Sequence, residues 1–246
     1  MSDGASSPPV APLARLLTGV TAVFGALLLL ALAACGPSGP QAPPLPPGPQ
    51  LLTGAAAAMA NVHSASVNLQ VDPALSSVPV RSATGKLTST GEATGTANLS
   101  QGGTTSEVHF VITQGILFLQ GPTGGYQRIP LAFAASIFDP TALLSGDRGV
   151  PALLRTAQNG VTEAEEDVNG TPAYRVRATL NPDFVSSLVP GLTGANSGLV
   201  WVDKASSRVV KAQLDVPPDG KPGSPTVPVT VTLSDFDAPV SIQPPS

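Results

Sequence analysis

Residues 161–180 read VTEAEEDVNGTPAYRVRATL. Val161 to Val168 and Pro172 to Leu180 flank Asn169-Gly170. Two central residues of this type accept positive φ, and a turn with positive φ at both matches the twist of the strands it joins. The stretch therefore predicts a tight antiparallel hairpin, and strands joined by hairpins build an antiparallel sheet. Downstream the pattern repeats. Asn181-Pro182-Asp183 starts a short helix through Phe184 and Leu188. Leu199 to Val202 and Arg208 to Val216 flank Lys204 to Ser207 as a second hairpin. Thr226 to Phe236 closes the chain's last strand, with Val227, Val229, Val231 and Leu233 in step.

Upstream of the hairpin the chain changes character. Leu131 to Phe138, Pro140 to Leu144 and Val150 to Gln158 predict three short helices. Asp139 is the N-cap candidate for the second, and Asn159-Gly160 the stop of the third. Before them the period is two. Val67, Leu69 and Val71 alternate with Ser66, Asn68 and Gln70, and Asp72-Pro73 ends that strand. Ser82 to Ser100 is thin in large apolar residues and full of Thr, Ser and Gly, predicting two modest strands that turn near Thr90-Gly91. Val108, Phe110 and Ile112 alternate with Glu107, His109 and Val111. Ile116 to Gln120, apolar on both faces, follows the Gln114-Gly115 turn, and Tyr126 to Ile129 is one more short strand. Leu51 to Val62 is an alanine-rich helix with Leu51, Leu52, Ala55, Met59 and Val62 on one face. One helix, five or six strands, a helical middle and five more strands give an α+β chain whose sheet, at ten or eleven strands, must curl.

The chain begins with a different signal. Arg15 precedes an apolar run, Leu16 to Ala34, which ends in Leu32-Ala33-Ala34-Cys35. A positive flank, an apolar centre and small residues before a cut are the parts of an export signal. Cys35 is the only cysteine in 246 residues. A lone thiol in an oxidising compartment is a liability that acylation removes. The run is long enough to span a bilayer, but no Lys or Arg follows before Arg81 to act as a stop-transfer flank. The expectation is a lipoprotein signal over residues 1–34 and acylation at Cys35. That places the chain on the outer, periplasm-like face of the cell membrane. Residues 35–50 form a tether with seven prolines between Gly36 and Gln50, extended at ~3.1 Å per residue. Residues 51–246 form a single domain.

Charge and composition narrow the function. Net charge is −4, charged residues are 11% of the chain, and aromatic residues are 4%. No basic stripe exists, which argues against nucleic acid. No G-x-S-x-G elbow is present, and His63 and His109 are the only histidines. Glu163, Glu165, Glu166 and Asp167 form the densest acidic cluster, whose spacing matches no calcium loop and suits a solvated strand edge. The reading is a non-enzyme with no metal and no cofactor.

Several stretches in order resemble the mycobacterial LppX/LprG-type (LppX/LprA/LprF/LprG) envelope lipoproteins. Cys35 follows a lipobox, and Leu45-Pro46 precedes the first helix. His63-Ser64-Ala65, Gly85-Lys86-Leu87 and Ala93-Thr94-Gly95 follow. Phe110-Val111 with Gly115-Ile116-Leu117-Phe118 is the most specific part. Then come Ile137-Phe138-Asp139-Pro140, Leu143-Leu144, Gly149 to Leu154, Asn169-Gly170 and Trp201-Val202. These are packing and turn residues, so they specify a fold better than a function. The resemblance implies a strongly curved antiparallel half-barrel, LolA/LolB-like, with helices packed in its concave face over an apolar cavity. It implies a lipid-binding carrier of di- or triacylated glycolipid or lipoglycan, moving cargo from the cytoplasmic membrane toward the outer cell envelope. Some members of the family work beside an exporter of the major facilitator type.

Hiding acyl chains from water is worth about 0.8 kcal/mol per CH₂, so a carrier needs a cavity wider than the ~300–1,000 Å³ of a drug-sized pocket. Strand faces and the helical middle nominate Val67, Leu69, Val108, Phe110, Ile112, Phe118, Ile137, Leu153, Val176, Phe184 and Trp201 as its lining. A one-residue slip would reverse each face. An anchored interaction module, supporting an envelope exporter or cell-wall enzyme without carrying lipid, is the other reading; it expects a filled core and an exposed apolar patch.

Overall fold

The Asn169-Gly170 turn forms as its chemistry requires, with φ of 52° and 86° at its two residues. It joins β7 (Gln158–Val168) to β8 (Thr171–Thr179). Gln114 and Gly115 repeat the device at φ 52° and 72°, between β4 (Thr104–Thr113) and β5 (Ile116–Gln120). The computed structural model describes residues 43–101, 103–134, 140–188, 192, 194–221 and 223–245. The chain divides into Met1–Pro44 and Leu45–Ser246, and every element below belongs to the second unit.

The remaining strands are β1 (Ser64–Val71), β2 (Val80–Thr88), β3 (Ala93–Gln101), β6 (Tyr126–Pro130), β9 (Ser197–Asp203), β10 (Val209–Val216) and β11 (Val227–Ser234). The eleven strands of the described residues join one open antiparallel sheet in the order β6-β5-β4-β3-β2-β1-β11-β10-β9-β8-β7. Every neighbour is a sequence neighbour except at one junction, where β11 pairs with β1 and joins the two meanders. There Val67, Leu69 and Val71 sit opposite Leu233, Val231 and Val229. Leu69 sits opposite Ala83 on the other flank. The alternate residues Ser66, Asn68 and Gln70 face Ser234, Thr232 and Thr230. The period-two pattern thus separates an apolar core face from a polar face, as side-chain alternation requires.

Among the described residues the helices are few and short. They are α1 (Gly48–Met59), α2 (Leu131–Ala134), a 3₁₀ turn (Pro140–Leu144), α3 (Val150–Thr156) and α4 (Pro182–Leu188). The sequence places the first helix at Leu51, but α1 starts three residues earlier, inside the proline-rich stretch. Pro47 is its N-cap and Pro49 lies in its first turn, where the missing N–H is unneeded and the fixed φ is already helical. The Pro46 carbonyl accepts a 2.6 Å hydrogen bond from Thr162 Oγ1. The end of the expected tether is therefore docked on β7.

Asn159-Gly160 is not a helix stop. The two residues lie inside β7, with Asn159 at φ 52° and the pairing to β8 shifting register between Gln158 and Val161. Such a bulge bends its strand. A Cβ at Gly160 would sit 2.7 Å from Leu52 Cδ1, and one at Gly48 would sit 2.4 Å from the Gly160 backbone. The two glycines let α1 cross the edge strand at backbone contact. Pro140 to Leu144 is a 3₁₀ turn rather than an α-helix. Of the helix expected over Leu131 to Phe138, only Leu131–Ala134 is described; residues 135–139, with Ile137 and the Asp139 cap, lie outside the described residues. Asn181 caps α4, its Oδ1 accepting the Asp183 N–H at 2.9 Å.

Candidate functional site

The core face of the central strands forms the floor of one apolar pocket. Val67 and Leu69 of β1, Ala83 of β2 and Phe110 of β4 line it. So do Val209, Ala212 and Leu214 of β10, with Val229, Val231 and Leu233 of β11. Leu143 of the 3₁₀ turn and Val150 and Leu153 of α3 complete it. Every lining side chain is apolar. The pocket's volume is about 70 Å³, against the ~300–1,000 Å³ of a drug-sized site. The wide cavity expected from the sequence is not met by this pocket. Beside it, α1 packs along α3 and β7, burying Leu52, Ala55, Ala56 and Met59. Met59 Sδ accepts the Val209 N–H at 3.4 Å.

Four of the nominated residues meet in the pocket: Val67, Leu69, Phe110 and Leu153. Val108, Ile112 and Val176 are buried in the same core cluster without lining it; Val176 faces Val200 across the β8–β9 pair. Phe184 is half-buried on α4, and Ile137 lies outside the described residues. Two nominations are corrected. In β5, Leu117 pairs with Ile112 and Leu119 with Phe110, so these leucines take the core face. Phe118 faces the other way, with the Arg128 guanidinium 5.3 Å above its ring. Trp201 also lies on the polar face. Its Nε1–H donates to Glu166 Oε2 at 2.7 Å, and Lys211 Nζ lies 4.3 Å from its ring centroid. Around it, Ala173, Leu199 and Val210 form a second small apolar cluster. Both strands are apolar at consecutive positions, so alternation could not choose between their faces. The structure adds Ala212, Leu214, Val229, Val231 and Leu233 to the lining; the last three carry a step of two in the sequence that marks one strand face.

The acidic cluster lies on β7, an edge strand, and is paired. Glu163 bonds Arg177 Nε at 2.6 Å and Arg175 Nε at 3.0 Å. Glu166 bonds Arg175, Glu165 bonds Lys204 at 2.5 Å, and Asp167 accepts the Gly170 N–H at 2.7 Å. Arg177, and then Arg175, hold the Glu163 carboxyl below the ordinary glutamate value. Among the described residues no group of His, Cys, Asp and Glu is arranged to hold a metal ion. His63 is exposed, its Nδ1 3.6 Å from Asp237, and His109 stands on the polar face opposite Thr96. Among the described residues no helix is long and apolar enough to cross a membrane.

Residues 48–242 match the model of the LppX_LprAFG lipoprotein family. The chain is 30% identical over 204 residues to the lipoarabinomannan carrier protein LprG of Mycolicibacterium smegmatis, covering 81% of this chain and 83% of that one. It is 27% identical over 189 residues to the lipoarabinomannan carrier protein LprG of Mycobacterium leprae, covering 75% and 76%. The crystal structure of LprF from Mycobacterium bovis superposes with a TM-score of 0.70 at 23% identity, over 81% of this chain and 97% of that one. Lipoprotein LppX of Mycobacterium tuberculosis gives 0.57 at 18% identity, over 79% and 99%. These two structures share the fold. The curated relatives bear the names of carriers, not of enzymes.

Proposed function

The chain belongs to the LppX_LprAFG lipoprotein family, and from that premise we propose that it is a membrane-anchored carrier of acylated glycolipid or lipoglycan. Acyl chains on Cys35 hold it at the outer face of the cytoplasmic membrane. The chains of the cargo lie on the sheet's core face, and cargo moves from that membrane toward the outer envelope. An exporter of the major facilitator type is the partner that fits this task. The names of the relatives support the cargo class.

The observation that carries the reading is the chemistry of the pocket. Ten side chains from five strands of the sheet's floor and roof elements above them present only apolar atoms to one space. A 16-carbon chain in water forgoes on the order of 12 kcal/mol, and this is the surface that recovers it. At about 70 Å³ the space is closed to such a chain, so loading displaces the roof. Leu143, Val150 and Leu153 sit on a 3₁₀ turn and a seven-residue helix, short elements outside the backbone ladders of the sheet. Arg155 of the helix donates to the Gly146 carbonyl within the same segment. The roof can therefore lift as a piece while the hydrogen-bonded floor stays.

The small volume is also what an interaction module with a filled core would show. One experiment separates the two. Lipids are extracted from the unanchored domain, residues 45–246, purified from an envelope-bearing host, and identified by mass spectrometry. Stoichiometric di- or triacylated lipid is the expected result. A domain that emerges empty and takes up no added glycolipid is the interaction module.

A further inference from the structure

The threonine, serine and glycine residues of β2 and β3 alternate with the core-facing Ala83, and on the polar face of the sheet several of them line a space larger than the apolar pocket. Across the polar face, Thr96 pairs with Thr84, Thr84 with Asn68, Asn68 with Thr232 and Thr232 with Lys211. This is one continuous row across five strands. Strand spacing sets its step at ~4.8 Å, close to the length of one pyranose unit. Thr84 and Thr96 hydroxyls lie 3.1 Å apart, so one donates to the other and the pair keeps a free proton and free lone pairs. Thr96, Thr84, Asn68 and Thr232 of the row line a groove of about 730 Å³, within the ~300–1,000 Å³ of ligand sites. Val168 and Asn169 at the tip of the β7–β8 hairpin line it on one side, and Phe236 lines it after β11.

We propose that this groove binds a neutral oligosaccharide laid across the strands. Sugar hydroxyls donate and accept, as do the Thr, Ser and Asn side chains below them. The C–H faces of a pyranose suit Val168, and half-buried Phe236, with the Arg208 guanidinium 5.2 Å from its ring centroid, closes the wall beside it. Charge is sparse: Lys86, Asp203 and Asp235 are the charged residues of the lining, Asp203 is occupied by the N–H groups of Ala205 and Ser206, and Asp235 accepts the Ser234 hydroxyl at 3.2 Å. An anion or a cation finds no concentration of opposite charge here. A flat solvent-facing sheet also carries Thr and Asn; the groove and its apolar wall make this face a site. Because it lies opposite the core face, the inference does not rest on lipid carriage.

Ligand-observed saturation-transfer NMR tests it, with the acylated full chain held in nanodiscs and two acyl-free probes, mannotetraose and the deacylated glycan of lipoarabinomannan. Saturation transfer to the sugar protons with a Kd near ~1 mM is expected. The Thr84→Val/Thr96→Val double variant should weaken it about tenfold, or about 1.4 kcal/mol, without changing lipid uptake. Should that variant not fold, Asn68→Ala at an exposed position replaces it. No transfer from the wild-type chain, or transfer untouched by folded groove variants, overturns the proposal.

Discussion

Trp201 shows how much a single side chain's direction decides. Its strand is buried at five consecutive positions, so a large aromatic there reads as core. The register turns it to the polar face, between Glu166 and Lys211. It is the only tryptophan in the chain, which makes it a reporter. Loading the apolar pocket with lipid should leave its emission maximum nearly unshifted. A marked blue shift on loading, followed by fluorescence titration, would mean that the faces are assigned wrongly. Gly48 is the second residue whose chemistry is forced, because a Cβ there would meet the Gly160 backbone at 2.4 Å. Backbone cannot yield as a side-chain tip does. Gly48→Ala should destabilise the fold by about 1–3 kcal/mol, seen as a lower urea midpoint with an unchanged m-value.

At the scale of elements, floor and roof differ in how they are held. The floor strands share backbone ladders with neighbours on both sides. The 3₁₀ turn and α3 lie outside those ladders, and Leu153, half-buried, lines the pocket from α3. Leu153→Trp should occupy the remaining space and hinder displacement of the roof. Uptake of a fluorescent diacylated glycolipid is expected to fall about tenfold, or about 1.4 kcal/mol, with little change in melting temperature. Equal uptake by the variant would remove the roof from the proposed path. The β7 edge carries its own device. Docked Pro46 and the paired carboxylates guard a strand that would otherwise offer free N–H groups to another chain.

Over the whole molecule the ion pairs make stability depend on pH. Glu163 is held below its ordinary value by Arg177 and then Arg175. Asp237 is held below its own by the His63 N–H and then by Arg208. A carboxyl with a lower folded than unfolded pKa stabilises the fold above the unfolded value, and that stabilisation is lost as pH falls through the folded value. Stability should therefore fall on acidification below the ordinary carboxylate range. Both groups are solvent-accessible, so screening keeps each effect small. Glu163→Gln should flatten part of that slope, measured as the denaturation midpoint against pH. An unchanged slope would show that the Arg pairs form equally in the unfolded chain.

Local chemistry alone determined a good deal. Asn169-Gly170 and Gln114-Gly115 fix tight turns because few residues tolerate positive φ at two successive positions. The alternation of Val67, Leu69 and Val71 separates core from polar face for the same short-range reason. Those signals yield a large antiparallel sheet with a helical middle, and the family to which it belongs was legible in its packing residues. What the tertiary structure alone decided is everything that depends on partners far away in sequence. The pairing of β11 with β1 joins the meanders and puts Val229, Val231 and Leu233 beside Val67 and Leu69. The facing of Phe118 and Trp201 follows from register, which a doubly apolar strand does not encode. Asn159-Gly160 reads as a helix stop in isolation and becomes a strand bulge because α1 crosses it at backbone distance. The volume of the pocket is the small difference between floor and roof positions, set by packing across the whole domain.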